Sequence, residues 1–478
     1  MKFSFSALFK SKELKASLVF VFASVCSQGM AVISLPIFTR ILTTEQMGIV
    51  TTYNTWLNLI SMVTTLGLTS GSFNIAMMRF EESRAQYTSS ALALSLIPSI
   101  ILLILSIPLG EFFSSILGLS VSLVRCMCAM LVFNPAINLW LMRCRYEYRY
   151  VSVFIVTVLN SVVGTVVAVA AVIAASSAGI TSLPEVRLIS SSIVTALISL
   201  VIGSSIFFAG RTFFNMRYWS FALRAGLPLI VHSVAKYVLD ASDRILIGLF
   251  IGSAAVGIYG VLYNLSSISL VFWSAINSAL IPYMFGCLKG GEEGKIRSVV
   301  EPLLVAYTII CFSLMLLAPE VVGILAGEAY AEAVYLVPPI ASGIFFTSLY
   351  NLYSNLLLYK ERTSLVMCAT VCAAVLNVAL NIVFLPIFGY VASAYATLAS
   401  CCMLSIMQYV FATKLGVAHV LDNRLNFILS IVLIIAGVAV NALYATPEYI
   451  RYLFFAGIAV LALANRHRLV DVIKVTRA

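Results

Sequence analysis

The sequence predicts an all-α, polytopic membrane protein with about fourteen transmembrane helices, and three observations lead to this fold class. Hydrophobic residues make up 62% of the 478 residues and charged residues only 10%, with a mean hydropathy of +1.05. A soluble protein carries roughly a quarter charged residues. Fourteen apolar stretches reach membrane-spanning length, and Lys and Arg fall almost entirely into every second gap between them. A chain this apolar must be solvated by lipid.

Each predicted helix is a mostly apolar stretch of about 20 residues, the length that crosses the hydrocarbon core. In chain order, the predicted helices 1 to 14 cover 16–38, 47–69, 88–108, 119–141, 151–176, 188–210, 225–250, 257–286, 301–323, 335–358, 364–385, 391–413, 426–444 and 450–464. The N-terminus is basic, but no small-residue cleavage site follows it. Helix 1 is therefore interpreted as a retained helix rather than a signal peptide.

The distribution of basic residues predicts the orientation, because short loops rich in Lys and Arg stay in the cytoplasm. Of the 29 Lys and Arg residues, 23 lie in the N-terminus, the even-numbered gaps and the C-terminal tail. The remaining six are Arg40, Arg187 and Arg451 in odd-numbered gaps, and Arg125, Lys236 and Arg244 within predicted helices. Both termini are therefore expected in the cytoplasm. The net charge of +10 reflects this orientation and attraction to anionic lipids, not binding to nucleic acid.

Neither cysteines nor loops point to a metal site or a soluble domain. Eight of the ten cysteines fall in predicted helices, and the other two, Cys144 and Cys287, lie at predicted cytoplasmic ends. No zinc-type spacing with histidine occurs in the sequence, so the cysteines are interpreted as small core residues. We therefore predict no metal site and no catalytic group.

A weak internal repeat predicts two lobes. The segment that begins at Ile41 aligns with the segment that begins at Phe250, so that Gly48 falls on Gly257. This offset predicts two six-helix lobes, 1–224 and 225–425. Because each lobe has an even number of helices, the two lobes have the same orientation, as in the parallel repeats of some secondary transporters. Residues 426–478 are then two additional transmembrane helices and a cytoplasmic tail.

Four segments resemble a known family. They are SLPIFTRILTTEQMGIVTTYNTW, DRILIGLFIGSAAVGIYGVLYNLSSIS, GEAYAEAVYLVPPIASG and NVALNIVFLPIFGYVASAYATLAS. They resemble the Wzx-type flippases of O-antigen or capsular repeat units, which are polysaccharide transporters of the MOP superfamily. The resemblance covers nearly the whole chain and implies a MATE-like, V-shaped bundle of two lobes, with two extra helices in this branch.

The resemblance also implies a function. The cargo is expected to be an undecaprenyl-diphosphate-linked oligosaccharide, carried from the cytoplasmic to the outer leaflet of a bacterial inner membrane. This transport is expected to serve synthesis of the O-antigen of lipopolysaccharide, of a capsule or of another exported glycan. Alternating access is expected, coupled to H⁺ or Na⁺, with no cofactor and no enzymatic step. Expected partners are anionic membrane lipids and polysaccharide polymerase or assembly proteins.

Helix 7 carries the densest polar content of any predicted helix. At about 100° per residue, His232, Lys236, Asp240, Asp243 and Arg244 occupy one third of its circumference. A charge at mid-membrane costs roughly 2.5–3.5 kcal/mol on the translocon scale, so this stripe is expected to face a wet cavity or partners. Cations there suit a diphosphate, and Asp240 and Asp243 are the candidates for binding the coupling ion. The alternative is a self-neutralised network, because Lys236 and Asp240 are spaced i,i+4.

Two further arginines are candidate substrate contacts. Arg125 lies in the outer part of helix 4, where it either contacts the diphosphate or extends towards the interface. Arg40 ends helix 1 near the outer surface and lies in one of the segments that carry the resemblance. Capping of helix 1, or pairing with Glu45, is the structural alternative for Arg40.

Hydroxyl, amide and aromatic side chains form candidate glycan contacts on two helices. Asn54 and Asn58 lie on one narrow face of helix 2, and Tyr259, Tyr263 and Asn264 lie in helix 8. Such residues suit an uncharged sugar, and they equally join helices to each other within lipid. Both interpretations stay open for each residue.

Three other functions are alternatives to flipping of an oligosaccharide. A drug antiporter of the same superfamily usually has twelve helices, and this chain continues through two more. A lipid II flippase is the other related alternative. An O-antigen polymerase or ligase belongs to a different class and resembles a bundle with a large outer loop that carries Arg and His. The outer gaps here are short and nearly free of both, which disfavours an enzyme.

Overall fold

The computed structural model describes residues 12–464, apart from the side chains at 12–18, 20, 21, 24, 25, 70 and 458–464. The described chain consists of helices and the turns between them, and it contains no strand. Residues 1–11 and 465–478, on which part of the predicted orientation depends, lie outside the described residues. The described chain divides into two compact units, one that ends at Gly257 and one that begins at Ile258. We call them the N-terminal unit and the C-terminal unit.

The N-terminal unit contains nine complete α-helices within the described residues. They are α1 (Lys12–Ile41), α2 (Thr44–Thr64), α3 (Ser72–Arg79), α4 (Arg84–Leu105), α5 (Gly110–Leu117), α6 (Val121–Tyr146), α7 (Tyr150–Ser177), α8 (Leu183–Gly210) and α9 (Met216–Phe250). Helix α9 packs against α2, α3 and α4, so this unit holds the whole of predicted helix 7. The first turn of α10 (Ser253–Ser266) completes the unit.

The C-terminal unit continues with eight further α-helices in the described chain. They are α11 (Ile268–Gly290), α12 (Glu293–Leu316), α13 (Ala318–Leu325), α14 (Val337–Tyr359), α15 (Thr363–Phe388), α16 (Val391–Lys414), α17 (Asn423–Leu443) and α18 (Glu448–Ala464). Helix α14 is the central element, since 89% of the most apolar window of the span Glu328–Tyr359 is buried. It packs mainly against α16, α17 and α12.

The predicted all-α membrane fold is confirmed. Each of the fourteen predicted stretches coincides with helix in the structure. Eleven helical segments of the described chain are long and apolar enough to cross a membrane. The predicted spans outside those eleven are α1, the polar α2 and the 17-residue α18. The lobe boundaries at 224 and 425 remain predictions.

The prediction of a single helix 8 is wrong. In the structure this stretch forms two helices, α10 and α11, which are separated at Ser267. The hydroxyl of Ser266 donates to the carbonyl of Leu262, and that of Ser267 donates to the carbonyl of Tyr263. Serine hydroxyls that bond back to the preceding turn compete with the backbone ladder and bend helices. Three eight-residue helices, α3, α5 and α13, were also not predicted, because each is too short to show as a separate stretch.

Two pairs of glycines bring helices of the N-terminal unit into backbone contact at opposite ends of α2. At its start, a Cβ atom on Gly48 would overlap the carbonyl of Ser253, and one on Gly257 would overlap the carbonyl of Thr44. Just beyond its end, a Cβ atom on Gly67 would overlap the carbonyl of Gly226 in α9. Residues larger than glycine do not fit these crossings, so α2 is held closely at both ends.

Polar contacts between helices stabilise the C-terminal unit. The side-chain amide of Asn381 donates to the carbonyl of Asn377 at 2.9 Å, and the hydroxyl of Ser393 donates to Oδ1 of Asn381 at 2.6 Å. All three residues are fully buried. Their hydrogen bonds join α15 to α16. They also satisfy amide groups that would otherwise be unpaired in an apolar environment.

Helix α18 docks on the rest of the C-terminal unit through an ion pair. Nη2 of Arg451 lies 3.0 Å from Oε1 of Glu320, and the arginine side chain is only 4% exposed. The second terminal nitrogen of Arg451 lies 3.2 Å from the other carboxylate oxygen. This two-nitrogen geometry is the strong form of an arginine–carboxylate pair.

Candidate functional site

The candidate site is the polar stripe of α9, formed by His232, Lys236, Asp240, Asp243 and Arg244. Four of these residues are partly buried, and Asp243 is 1% exposed. The exposed apolar side chains of α9 lie on a different face. Leu227, Val231 and Leu249 are each more than half exposed and project about 220–260° around the helix from His232. Thus the exposed apolar face and the charged face of α9 point in different directions.

Lys236 and Asp240 form an ion pair at the centre of the stripe. Nζ of Lys236 lies 2.5 Å from each carboxylate oxygen of Asp240. The lysine side chain is 27% exposed and the aspartate side chain 41% exposed. The pair is therefore partly accessible rather than enclosed, and an anion or a cation that reached it would compete with the existing contact. The i,i+4 spacing recognised in the sequence produces this contact.

The other members of the stripe differ in their surroundings. Asp243 accepts the backbone N–H of Arg244 at 2.8 Å and takes part in further interactions, as does Arg244. His232 has a buried Nδ1 atom without a hydrogen-bond partner among the described residues. A buried polar atom without a partner is costly. His232 is therefore the member of the stripe with unused hydrogen-bonding capacity.

Helix α2 lies beside the stripe within the same unit. The hydroxyl of Tyr237 donates to the carbonyl of Thr55 at 3.1 Å, which fixes α9 against α2. Asn54 and Asn58 are exposed side chains of α2. The structure thus brings the helix with the asparagine face against the helix with the charged stripe. Whether these asparagines bind a sugar stays a prediction.

The candidates of predicted helix 8 belong to α10 in the C-terminal unit. Tyr259 is fully buried, Tyr263 is partly buried and Asn264 is exposed. The two tyrosine rings lie 6.1 Å apart in a tilted arrangement. Burial makes Tyr259 a packing residue of its unit, and it leaves Asn264 as the accessible polar group of the three.

The two additional arginine candidates lie at helix ends. Arg40 is the second-last residue of α1 and is exposed. Arg125 is exposed in the first turns of α6, next to Gly110 at the start of α5. Neither belongs to the stripe of α9. Their roles stay predictions.

Sequence reasoning missed two contributors. Tyr237 lies between two stripe residues, but an aromatic residue in an apolar helix gave no signal for its hydrogen bond to α2. Asn377 and Asn381 lie in one of the four segments that carry the family resemblance, but no contact between helices was predicted for them. Their i,i+4 spacing in an apolar helix was the available signal for an interhelical network.

The described residues contain no group of three or more His, Cys, Asp or Glu side chains that could hold a metal ion. The side chains of the stripe offer ion pairing and hydrogen bonding. Two cationic and two anionic side chains on one helix face can exchange partners with a charged ligand and a small cation.

Comparison with known proteins shows the family. The model of a family described as "Polysaccharide biosynthesis protein" matches residues 14–287, more than half of the chain. The MatE family model matches residues 228–383. A curated relative is "Probable low-salt glycan biosynthesis flippase Agl15" of Haloferax volcanii, 26% identical over 175 residues. That match covers 36% of this chain and 37% of the relative's length.

Solved structures share the fold. The lipid II flippase MurJ in an inward closed conformation superposes with a TM-score of 0.72 at 14% identity, covering 95% of this chain and all of that one. An inward-facing multidrug resistance MATE family transporter of the MOP superfamily gives 0.62 at 15% identity, with 84% and 98% covered. A MOP superfamily transporter from Pyrococcus furiosus gives 0.58 at 14% identity, with 86% and 96% covered. The resemblance found in the sequence is thus confirmed for the family and for the fold. This multi-pass membrane protein belongs to the polysaccharide biosynthesis protein family and has the fold of MOP superfamily transporters.

Proposed function

We propose that the protein is a flippase that moves an undecaprenyl-diphosphate-linked oligosaccharide from the cytoplasmic to the periplasmic leaflet of a bacterial inner membrane. The observation that carries the proposal is the charged stripe of α9, which is turned away from the exposed apolar face of its own helix. Membership of a polysaccharide biosynthesis family supports a glycan cargo. The printed name of the archaeal relative, a glycan biosynthesis flippase, supports the same kind of transport.

In this proposal the stripe contacts the charged part of the cargo while the lipid tail stays in the bilayer. Lys236 releases Asp240 when it meets the diphosphate, because two negative charges on a ligand attract the ammonium group more strongly than one carboxylate does. Asp240 is then available to a coupling H⁺ or Na⁺. Alternating access would give the headgroup a path that never crosses hydrocarbon, with both termini of the protein in the cytoplasm.

Two related functions are competitors. The fold similarity to the lipid II flippase MurJ favours peptidoglycan precursor as cargo, and the MatE match favours an ion-coupled antiporter of small molecules. The intermediate that accumulates when the protein is missing distinguishes these functions from flipping of an oligosaccharide.

The decisive experiment is deletion of the gene, with analysis of the lipid-linked intermediates that accumulate. We expect undecaprenyl-diphosphate oligosaccharide repeat units to build up and surface polysaccharide to disappear. The wild-type gene should reverse both effects. Accumulation of lipid II, or drug sensitivity with normal polysaccharide, would replace the proposal by one of the competitors.

A further inference from the structure

Three arginines converge at the start of α9. Arg79 is the last residue of α3, and Arg217 and Arg224 lie in the first turns of α9. With Ser220, Phe221 and Ala225 they line a surface pocket of about 470 Å³. No carboxylate of the described residues lies within ion-pair distance of these three side chains. We call this group the arginine pocket.

Two other arginines of the N-terminal unit pair with a glutamate of their own stretch of chain. Arg84 lies 3.2 Å from Glu81, and Arg143 lies 2.6 Å from Glu147. These contacts join residues three or four positions apart on the same stretch of chain. The arginine pocket instead collects cations from two helices, which repel each other when no anion is bound. A bound anion would remove that repulsion.

Aromatic rings position two of the guanidinium groups. The guanidinium carbon of Arg79 lies 5.9 Å from the centre of the Phe80 ring and 5.0 Å from that of Phe221. The guanidinium carbon of Arg217 lies 5.6 Å from the centre of the same Phe80 ring. Phe80 is itself buried and stacks on Tyr87 at 5.2 Å. Contact through the ring face leaves the in-plane N–H donors available, and a fork of such donors matches phosphate oxygens.

The surroundings of the arginine pocket favour a phosphate that belongs to a lipid. Phe213, Phe214 and Met216, which immediately precede or begin α9, are each at least 60% exposed. Exposed aromatic and apolar side chains beside arginines are typical of the boundary between headgroups and acyl chains. The positive-inside pattern assigns this end of α9 to the cytoplasmic side.

The arginine pocket is separate from the charged stripe of α9. Arg224 precedes Lys236 by twelve residues, which corresponds to about 18 Å along a helix. A diphosphate group is much shorter than this distance, so it can lie at only one of the two places at a time. A ligand that used both would move from one to the other.

We propose that Arg79, Arg217 and Arg224 form a docking site for the phosphate group of a membrane lipid, separate from the stripe. The lipid is either the polyprenyl diphosphate of the cargo, in which case this inference rests on the proposed function, or an anionic phospholipid of the cytoplasmic leaflet. The recognition chemistry is shared, since each presents phosphate oxygens at the height of the headgroups.

The test measures binding of farnesyl diphosphate to the full-length protein in phosphatidylcholine nanodiscs, with and without phosphatidylglycerol in the same discs. The variant Arg79→Gln/Arg217→Gln/Arg224→Gln removes the arginine pocket. The matched control, Lys289→Gln/Arg362→Gln/Lys414→Gln, removes three exposed charges from other predicted cytoplasmic ends. Both variants must elute and unfold like the wild type.

We expect the pocket variant to bind farnesyl diphosphate at least about tenfold more weakly, because each lost charge-assisted hydrogen bond contributes roughly a factor of ten. The control should stay within twofold of the wild type. Competition by phosphatidylglycerol would identify the phospholipid headgroup as the occupant, and its absence would identify the polyprenyl diphosphate. Equal binding by pocket variant and wild type, or an equal loss in the control, would overturn the proposal. A non-glycan intermediate in the deletion strain would remove the proposed cargo and leave the phospholipid arm intact.

Discussion

Gly48 and Gly257 face each other backbone to backbone at the start of α2. A Cβ atom on Gly257 would lie 2.8 Å from the amide nitrogen of Gly48, and one on Gly48 would lie 3.1 Å from the amide nitrogen of Gly257. The two glycines occupy equivalent places in the internal repeat, as do Thr44 and Ser253, whose carbonyls complete the contact. The crossing is therefore reciprocal, since each glycine meets the carbonyl that lies four residues before the other glycine.

Alanine at either glycine should destabilise the protein. The added Cβ atom meets a carbonyl that belongs to a rigid helix turn, so the helices must separate. Overpacking of this kind costs typically about 1–3 kcal/mol. Thermal unfolding of the purified protein would show a lower midpoint for Gly48→Ala and Gly257→Ala.

The control for this prediction is Gly164→Ala in α7, where the new Cβ atom meets nothing within 4 Å. That change should be neutral or stabilising by up to about 1 kcal/mol, because alanine favours a helix more than glycine does. Equal midpoints for the three variants would mean that the crossing tolerates separation.

Lys236→Ala and Asp240→Asn should each abolish surface polysaccharide while the protein remains in the membrane. The partial exposure of both side chains means that the pair contributes little to stability. The exchange variant Lys236→Asp/Asp240→Lys separates the two interpretations of the stripe. It rebuilds the ion pair with the charges moved by one turn.

Polysaccharide synthesis, measured beside membrane abundance, is the readout for the exchange variant. If the stripe contacts the cargo, the exchange variant should be as inactive as Lys236→Ala. Recovery of polysaccharide would instead show that the pair is structural.

Asn381→Leu should weaken the C-terminal unit. The substitution leaves the fully buried hydroxyl of Ser393 without its acceptor, which costs about 1–3 kcal/mol for an unsatisfied buried group. The double variant Asn381→Leu/Ser393→Ala removes both partners and should be more stable than the single variant. Denaturation of the purified protein followed by circular dichroism gives the comparison, and a double variant weaker than the single one would contradict the expected pairing.

Arg451→Ala should release α18 from its unit. The change leaves Glu320 without its ion-pair partner, and breaking a buried pair costs about 3–5 kcal/mol. Limited proteolysis should then cut the chain between α17 and α18. Tyr452→Phe is the matched control, because it removes only the exposed 3.0 Å hydrogen bond to the same carboxylate. Equal resistance of Arg451→Ala and the control would show that α18 docks through its apolar side chains alone.

Much of the fold followed from the sequence because length and hydropathy report directly on solvation by lipid. The ends of α7 and α16 agree with the predicted spans to within one residue. The interruption at Ser267 was not predictable, since serine also occurs within continuous transmembrane helices. The packing of α9 against α2, α3 and α4 was not predicted either, because apolar periodicity does not indicate which helix packs against which.

The charged stripe was predictable and the arginine pocket was not. Lys236 and Asp240 stood out because charges are rare within apolar helices and their spacing fixes their relative direction. Arg217 and Arg224 looked like ordinary members of a basic cytoplasmic gap. Only the folded chain brings Arg79 and the ring of Phe80 beside them.

Helix α9 contains 35 residues and is therefore about 52 Å long, well beyond the roughly 30 Å thickness of the hydrocarbon. Its midpoint falls next to His232, so a tilt of about 10° around that residue swings its two tips by about 4–5 Å in opposite directions. Such a tilt of the helix that carries the stripe would widen the space at one surface of the membrane and narrow it at the other in a single movement.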